Sequence, residues 1–114
     1  MEPQSTEWRA TVRRLNDAFR RQNQGRGSFL ITDGVRDRGE AFFEAAIAAV
    51  RAFDAFTRDN DPYDEHDFGS FSLEGERLFF KIDYYDLALT AHTPDAADPA
   101  QTHRVLTLML AEEY

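Results

Sequence analysis

The stretch Asp59-Asn60-Asp61-Pro62-Tyr63-Asp64-Glu65-His66-Asp67-Phe68-Gly69 divides the chain into a helix-rich first half and a strand-rich second half. It carries five carboxylates and one histidine, with no Lys or Arg. Asn, Asp and Pro favour turns, because Asn and Asp side chains bond to nearby backbone and the Pro ring fixes φ. We therefore expect residues 59–69 to be an acidic connecting loop within a single domain spanning 1–114, with residues 1–5 disordered.

The composition is typical of one globular domain. The 114 residues are 42% hydrophobic and 13% aromatic, which is enough to bury a core. The sequence holds no Cys, so disulfides and thiolate chemistry are excluded. Its first residues lack the basic and apolar run of a signal peptide, and no apolar stretch approaches the roughly 20 residues of a membrane span. A cytoplasmic bacterial protein without membrane contact is the expected class.

Charge is unevenly distributed along the chain, whose net charge is -8. Residues 1–27 hold six Arg against three acidic residues, a net charge of +3. The remainder holds 7 basic and 18 acidic residues, a net charge of -11. Because such a surface repels nucleic acid, direct binding of nucleic acid is disfavoured and a protein partner with a basic surface is expected.

A first amphipathic helix is predicted over residues 6–22. Its apolar residues Trp8, Val12, Leu15 and Phe19 fall at helical spacing on one stripe. Five arginines flank the stripe, and we expect them to extend into solvent alongside it. They are Arg9, Arg13, Arg14, Arg20 and Arg21.

A short strand is predicted at 28–32, followed by a second helix at about 38–57. Asp37 with Glu40 three residues later resembles a capping box at the start of that helix. Its apolar stripe is wide enough to cover a sheet. The stripe comprises Phe42, Phe43, Ala46, Ile47, Val50, Phe53 and Phe56.

The second half predicts a hairpin, with strands at 68–73 and 77–84 joined by the turn Glu74-Gly75-Glu76. Period-two alternation should turn Leu78, Phe80, Ile82 and Tyr84 towards the helices. A third strand at 87–92 and a last helix at about 99–112 complete the prediction, although Thr107 to Leu110 could equally be a strand. The order α-β-α-β-β-β-α indicates an α+β fold in which helices cover an antiparallel β-meander.

Four segments are jointly informative: Asn60-Asp61-Pro62-Tyr63, Glu65-His66-Asp67-Phe68-Gly69, Lys81-Ile82-Asp83-Tyr84-Tyr85-Asp86, and the run from Val105-Leu106-Thr107 to Met109-Leu110-Ala111-Glu112-Glu113-Tyr114. Together they resemble the proteobacterial family called domain of unknown function 3768, from about Leu15 to Tyr114. The resemblance implies a single-domain protein of that family. It implies no activity, cofactor or site residue.

The acidic loop contains oxygen donors that suit Ca²⁺ or Mg²⁺. If an ion bound there, Asp59, Asp61 and Asp64 would be the expected ligands. The EF-hand register fails, however, because its sixth position is Asp64 rather than Gly and its twelfth is Ser70 rather than Glu. A solvated loop without metal or cofactor is therefore favoured.

His66 lies beside Asp67, and Asp83 and Asp86 follow on the predicted hairpin. An imidazole–carboxylate pair of this kind can act as a general base, but an ordinary hydrogen-bonding histidine is the simpler interpretation. The three histidines lie too far apart in sequence for a zinc-spacing argument. No Gly-x-Ser-x-Gly motif or phosphate-binding loop is present.

Two functional hypotheses remain. The favoured one is a small, non-enzymatic interaction or regulatory protein whose acidic surface binds a basic partner, for instance as an inhibitor that blocks a nucleic-acid-binding site. The alternative is a metal-dependent enzyme that uses the acidic loop and His66. Homodimerisation through a sheet edge is a further expectation. The candidate partner-binding residues are Asp61, Tyr63, Asp64, Glu65, His66, Asp67, Asp83, Tyr85 and Asp86.

Overall fold

One mixed sheet with helices on one face makes up the part of the chain that this computed structural model describes, residues 5–114. The expected disorder of residues 1–5 lies outside that part except for Ser5, whose hydroxyl caps the first helix by accepting a hydrogen bond from the Trp8 N–H. The elements are helix α1 (Thr6–Gln22), strand β1 (Gly27–Ile31), helices α2 (Asp33–Arg36) and α3 (Glu40–Ala52), strands β2 (Phe68–Leu73), β3 (Glu76–Tyr85) and β4 (His103–Leu110), and a 3-10 turn (Ala111–Glu113).

The strand order across the sheet is β1-β4-β3-β2. Strand β1 pairs in parallel with β4, while β4 with β3 and β3 with β2 are antiparallel pairs. The α+β class is thus confirmed, but the predicted antiparallel meander is wrong, because the last strand inserts between the first and third strands. The predicted hairpin is present, and its turn residues Glu74 and Gly75 both have positive φ, as a tight two-residue turn requires.

Strand β4 replaces the helix predicted at about 99–112. It is a central strand of the sheet, and side chains on both of its faces are buried, including Leu106 and Leu108 on one face and Thr107 and Met109 on the other. The sequence of a strand that is buried on both faces is a continuous apolar run, and such a run does not distinguish a strand from a helix. The alternative of a strand at Thr107 to Leu110 is the correct one.

The strand predicted at 87–92 is also wrong. The carboxylate of Asp86 accepts hydrogen bonds from the N–H groups of Thr90 (3.0 Å) and Ala91 (3.4 Å), and so closes the chain into a compact turn. Only a single bridge, Tyr85 to His92, connects this region to a strand within residues 5–114.

Helix α3 is shorter than predicted, and a separate helix α2 precedes it. Gly39, with φ at 100°, occupies the N-cap in place of Asp37. The helix ends at Ala52 because Phe53 is extended and the Arg20 side chain donates hydrogen bonds to the carbonyl oxygens of Val50 and Phe53. Arg20 is only 1% exposed, so its predicted position in solvent is wrong.

The core lies between the helices and the inner face of the sheet. The predicted alternation of β3 is confirmed, since Leu78, Phe80, Ile82 and Tyr84 are buried. They pack with Val12 and Phe19 of α1, Phe42, Ala46 and Val50 of α3, and Leu106, Leu108 and Leu110 of β4. Within residues 5–114, no helix is both long enough and apolar enough to cross a membrane.

Candidate functional site

The acidic loop is folded around Asp61, which is 5% exposed. Its carboxylate accepts hydrogen bonds from the backbone N–H groups of Glu65 (3.0 Å) and His66 (3.1 Å). Asp64 and His66 both adopt left-handed backbone conformations, with φ at 57° and 58°. The sharp chain reversal that results brings the side chains of Asp61, Asp64 and His66 to one side of the loop.

The ring of His66 is held on two sides. Its Nδ1 lies 2.9 Å from Oδ1 of Asp17 on helix α1, and its face stacks on Phe56 with ring centroids 3.9 Å apart. Its other nitrogen, Nε2, lies 3.9 Å from Oδ2 of Asp61 and 3.7 Å from Oδ1 of Asp64. Asp17 therefore fixes the ring so that Nε2 faces two carboxylates.

One donor atom each from Asp61, Asp64 and His66 lies within 4.8 Å of the other two. The predicted ligand set was Asp59, Asp61 and Asp64. The structure brings the last two together with His66, whereas Asp59 is exposed and is not in the cluster. This combination of an imidazole and two carboxylates is the arrangement within residues 5–114 that could hold a metal ion.

Glu65 points into the protein rather than towards a partner. Its carboxylate accepts a hydrogen bond from the Tyr84 hydroxyl (2.8 Å), and that hydroxyl accepts one from Asn16 Nδ2 (2.8 Å). The Asn16 carbonyl in turn accepts one from Arg104 Nε (2.6 Å). Burial raises the pKa of the Tyr84 hydroxyl and lowers the pKa of the Arg104 guanidinium. The buried polar chain links the loop, helix α1 and two strands.

Asp67, Asp83 and Tyr85 line a shallow pocket of about 360 Å³ together with Tyr84 and His92. Burial raises the pKa of Asp67 to about 6, and the neighbouring charges of Glu65, Asp61 and Asp83 add to that rise.

Asp83 and Asp86 have local partners of their own. Asp83 is neutralised by Lys81, whose Nζ lies 3.0 Å from its carboxylate. Hydrogen bonds from Thr90 and Ala91 lower the pKa of Asp86, which belongs to the turn after β3. Asp83 and Asp86 therefore do not join the His66 cluster.

Helix α1 places positive charge against the acidic loop. Arg13 Nη1 forms a 2.8 Å ion pair with Oδ2 of Asp64, and the guanidinium of Arg9 lies 5.4 Å from the ring centroid of Tyr63. Tyr63 is nonetheless 58% exposed. Part of the loop's negative charge is thus compensated within the protein, while its aromatic tip faces solvent.

Sequence reasoning missed Asp17, Asn16 and Phe56, which hold the loop from other elements. A signal for Asn16 was available, since it follows Val12 by four residues and so shares the buried side of helix α1. The roles of Asp17 and Phe56 had no sequence signal, because they depend on how α1 and the segment after α3 meet the loop.

No match to this chain is found among curated proteins or among solved structures. A family model does match, over residues 31–113 rather than from near Leu15. Helix α1, with Asn16 and Asp17, lies outside the matched range. Since the match covers more than half of the sequence, the chain belongs to the family described as "Protein of unknown function (DUF3768)".

Proposed function

We propose that this protein binds a divalent metal ion through Asp61, Asp64 and His66 and uses it for metal-dependent hydrolysis. The observation that carries the proposal is the orientation of His66 by Asp17, which leaves Nε2 facing the carboxylates of Asp61 and Asp64. Of the two hypotheses from the sequence, this geometry favours the metal-dependent enzyme.

The donor set favours a transition metal. Ca²⁺ and Mg²⁺ prefer ligand sets made only of oxygen, whereas Zn²⁺, Mn²⁺ and Fe²⁺ accept an imidazole with carboxylates. Donors bonded at about 2.0–2.2 Å to one ion lie about 3–3.5 Å apart. The donors here are within 4.8 Å of one another, so small side-chain rotations would bring them to bonding distance.

The surroundings of the donors also support the proposal. Histidines that bind metals usually donate their other ring N–H to a carboxylate, which fixes the ring and raises its basicity, and Asp17 occupies that position. Asp64 binds Arg13 through Oδ2, and its Oδ1 faces His66. Each oxygen of this carboxylate can therefore serve a different partner.

Three protein ligands leave coordination positions for water and substrate. An ion held by Asp61, Asp64 and His66 would keep such an open position, and would supply a bound water of lowered pKa as the nucleophile for hydrolysis. Exposure of the Asp64 side chain, 71%, leaves the site open to a substrate from solvent.

Calorimetric titration of chelator-treated protein with Zn²⁺, Mn²⁺, Mg²⁺ and Ca²⁺ tests the proposal. We expect Zn²⁺ and Mn²⁺ to bind one ion per chain, and Asp64→Asn and His66→Gln to abolish that binding. Asp17→Asn should weaken it by roughly 10–100-fold, the usual effect of losing such a supporting carboxylate.

The matched control is Asp59→Asn, which removes an exposed loop carboxylate outside the cluster and should leave affinity unchanged. Hydrolysis of p-nitrophenyl esters and of bis(p-nitrophenyl) phosphate should require the ion and should be lost in Asp64→Asn. Absence of heat with all four ions, or wild-type affinity in Asp64→Asn and His66→Gln, would reject the proposal.

A second candidate is the acidic interaction protein, and the exposure of Tyr63 favours it. Tyrosine with a large exposed area is a preferred anchor of protein interfaces. Asp59, Tyr63 and Asp64 are exposed residues of the loop that carry charge or an aromatic ring. A partner with a basic surface would contact these three residues, because Asp61 and Glu65 are buried.

Capture of partners from a bacterial lysate tests this candidate. Bound proteins should be basic, should be displaced by added duplex DNA, and should be lost with Tyr63→Ala and with Asp59→Lys. Tyr114→Ala, which removes an exposed tyrosine at the chain end, is the control. Capture that survives Tyr63→Ala and Asp59→Lys rules the candidate out. Homodimerisation through the outer strands β1 or β2 stays a prediction, to be measured by light scattering.

A further inference from the structure

A second concave site lies between strand β1 and helix α3, on residues that the proposed metal site does not use. It is a pocket of about 480 Å³. Its floor is apolar and half-buried, and consists of Phe29, Ile31, Phe43 and Ile47. The volume falls within the range of about 300–1,000 Å³ that is usual for small-molecule sites.

Two guanidinium groups stand at the rim of this pocket. Arg36 lies 5.8 Å from the ring centroid of Phe43, and Arg51 lies 5.1 Å from that of Phe29. Arg51 also donates from Nη1 to the backbone oxygen of Arg20 (3.0 Å), which positions it from helix α1. Both guanidinium groups therefore lie over aromatic rings of the floor, although Arg36 remains exposed to solvent.

Neither Arg36 nor Arg51 has a carboxylate within 4.0 Å among residues 5–114. Glu44 also lines the pocket but forms no ion pair with them within that distance. The chain has a net charge of -8, so two guanidinium groups without an ion-pair partner form a local positive patch above the apolar floor. Guanidinium matches carboxylate with two parallel N–H···O bonds.

We propose that this pocket binds a small amphipathic carboxylate, whose anionic head lies between Arg36 and Arg51 and whose alkyl or aryl body covers the apolar floor. Charge complementarity selects the head, and the apolar floor selects an alkyl or aryl body. The inference does not depend on the proposed metal site, because the two share no residue.

Calorimetry and thermal unfolding with octanoate, below its micelle-forming concentration, test the proposal. Octanoate should bind and raise the melting temperature, whereas octylamine, with the same chain and the opposite charge, should not bind. Arg36→Gln should weaken the binding of octanoate at least tenfold, since it removes one of the two guanidinium groups. Within residues 5–114, the Arg36 side chain makes no hydrogen bond to another residue. This variant should therefore keep the wild-type melting temperature in the absence of ligand.

Arg51→Gln tests the second cation and Phe43→Ala tests the apolar floor, and both should weaken the binding of octanoate. Arg58→Gln, which changes an exposed arginine that precedes the acidic loop and lies outside the pocket, is the matched control and should bind octanoate as the wild type does. No octanoate binding at millimolar concentration overturns the proposal. Equal binding of octylamine, or unchanged affinity in Arg36→Gln, also overturns it and indicates an apolar groove for a peptide instead.

Discussion

The guanidinium of Arg20 donates from Nη1 to the backbone oxygen of Val50 over 2.6 Å, so a side chain of helix α1 terminates helix α3. The same nitrogen donates to the oxygen of Phe53 (2.9 Å), and Nη2 donates to Asp17 (3.2 Å). Burial lowers the pKa of Arg20, but arginine titrates so far above neutrality that the group stays charged. One buried cation thus satisfies the helix end and positions the carboxylate that orients His66.

Replacing Arg20 by Met should lower the free energy of unfolding by about 2–4 kcal/mol. The substitution keeps apolar bulk but leaves the carbonyl oxygen of Val50 without its charged donor, while the Phe53 oxygen keeps only the hydrogen bond from Arg21 Nη1 (3.2 Å). Urea unfolding followed by circular dichroism measures the loss. Arg14→Met, at an exposed position on the same helix, should change stability by less than about 0.5 kcal/mol. Equal stability of the two variants would contradict the role assigned to Arg20.

Elements with one buried face were predictable from sequence. Helix α1 and strand β3 each expose one side, so their 3.6 and 2 periods are visible in the order of residues. Strand β4 was not predictable in this way, because it is buried on both faces and its place between β1 and β3 depends on pairings with distant segments.

The candidate site was predictable only where it is local. Asp61, Asp64 and His66 lie within six residues of one another, so a loop reversal brings them together. Asp17 meets His66 across 49 positions, and Arg20 meets Val50 across 30. Contacts over such separations follow from helix packing, which the spacing of residues in one segment does not encode.

Tyr84→Phe should lower the free energy of unfolding by about 1–3 kcal/mol. Removal of the hydroxyl leaves the buried Glu65 carboxylate without its donor, while the aromatic ring keeps its packing. Tyr85→Phe removes a hydroxyl from the neighbouring, partly exposed residue and should be near neutral. Chemical denaturation at pH 7 compares the two. A neutral Tyr84→Phe would show that the buried polar chain adds no net stability.

Ionisation of Asp67 should destabilise the metal-free protein. Its carboxyl ordinarily titrates at 3.8, and burial with the charges of Glu65, Asp61 and Asp83 raises the pKa to about 6 in the fold. The folded state therefore binds more protons than the unfolded state between these values, and the free energy of unfolding falls as pH rises from about 4 to about 6.

Asp67→Asn should remove that contribution, so the variant should gain about 1–2 kcal/mol over the wild type at pH 7, allowing for partial exposure of the carboxyl, and little at pH 4. Urea unfolding from pH 4 to pH 8 in the presence of a chelator measures the difference between the two proteins. Asp59→Asn, which changes an exposed carboxylate, should show the same dependence of the free energy of unfolding on pH as the wild type. A difference between Asp67→Asn and wild type that does not change with pH would disprove the assignment.

Gly69→Ala should destabilise the fold by about 1–3 kcal/mol, the usual cost of overpacking a core. A methyl group at this position of β2 would meet the ring of Phe80 and would approach Phe53 to 2.9 Å. Those two rings pack edge to face with centroids 5.4 Å apart, so neither can move without disturbing the other. Ser72→Ala, on the opposite, exposed side of the same strand, is the control and should be near neutral. Thermal unfolding distinguishes them, and a Gly69→Ala variant as stable as Ser72→Ala would mean that the aromatic core yields to the added methyl group.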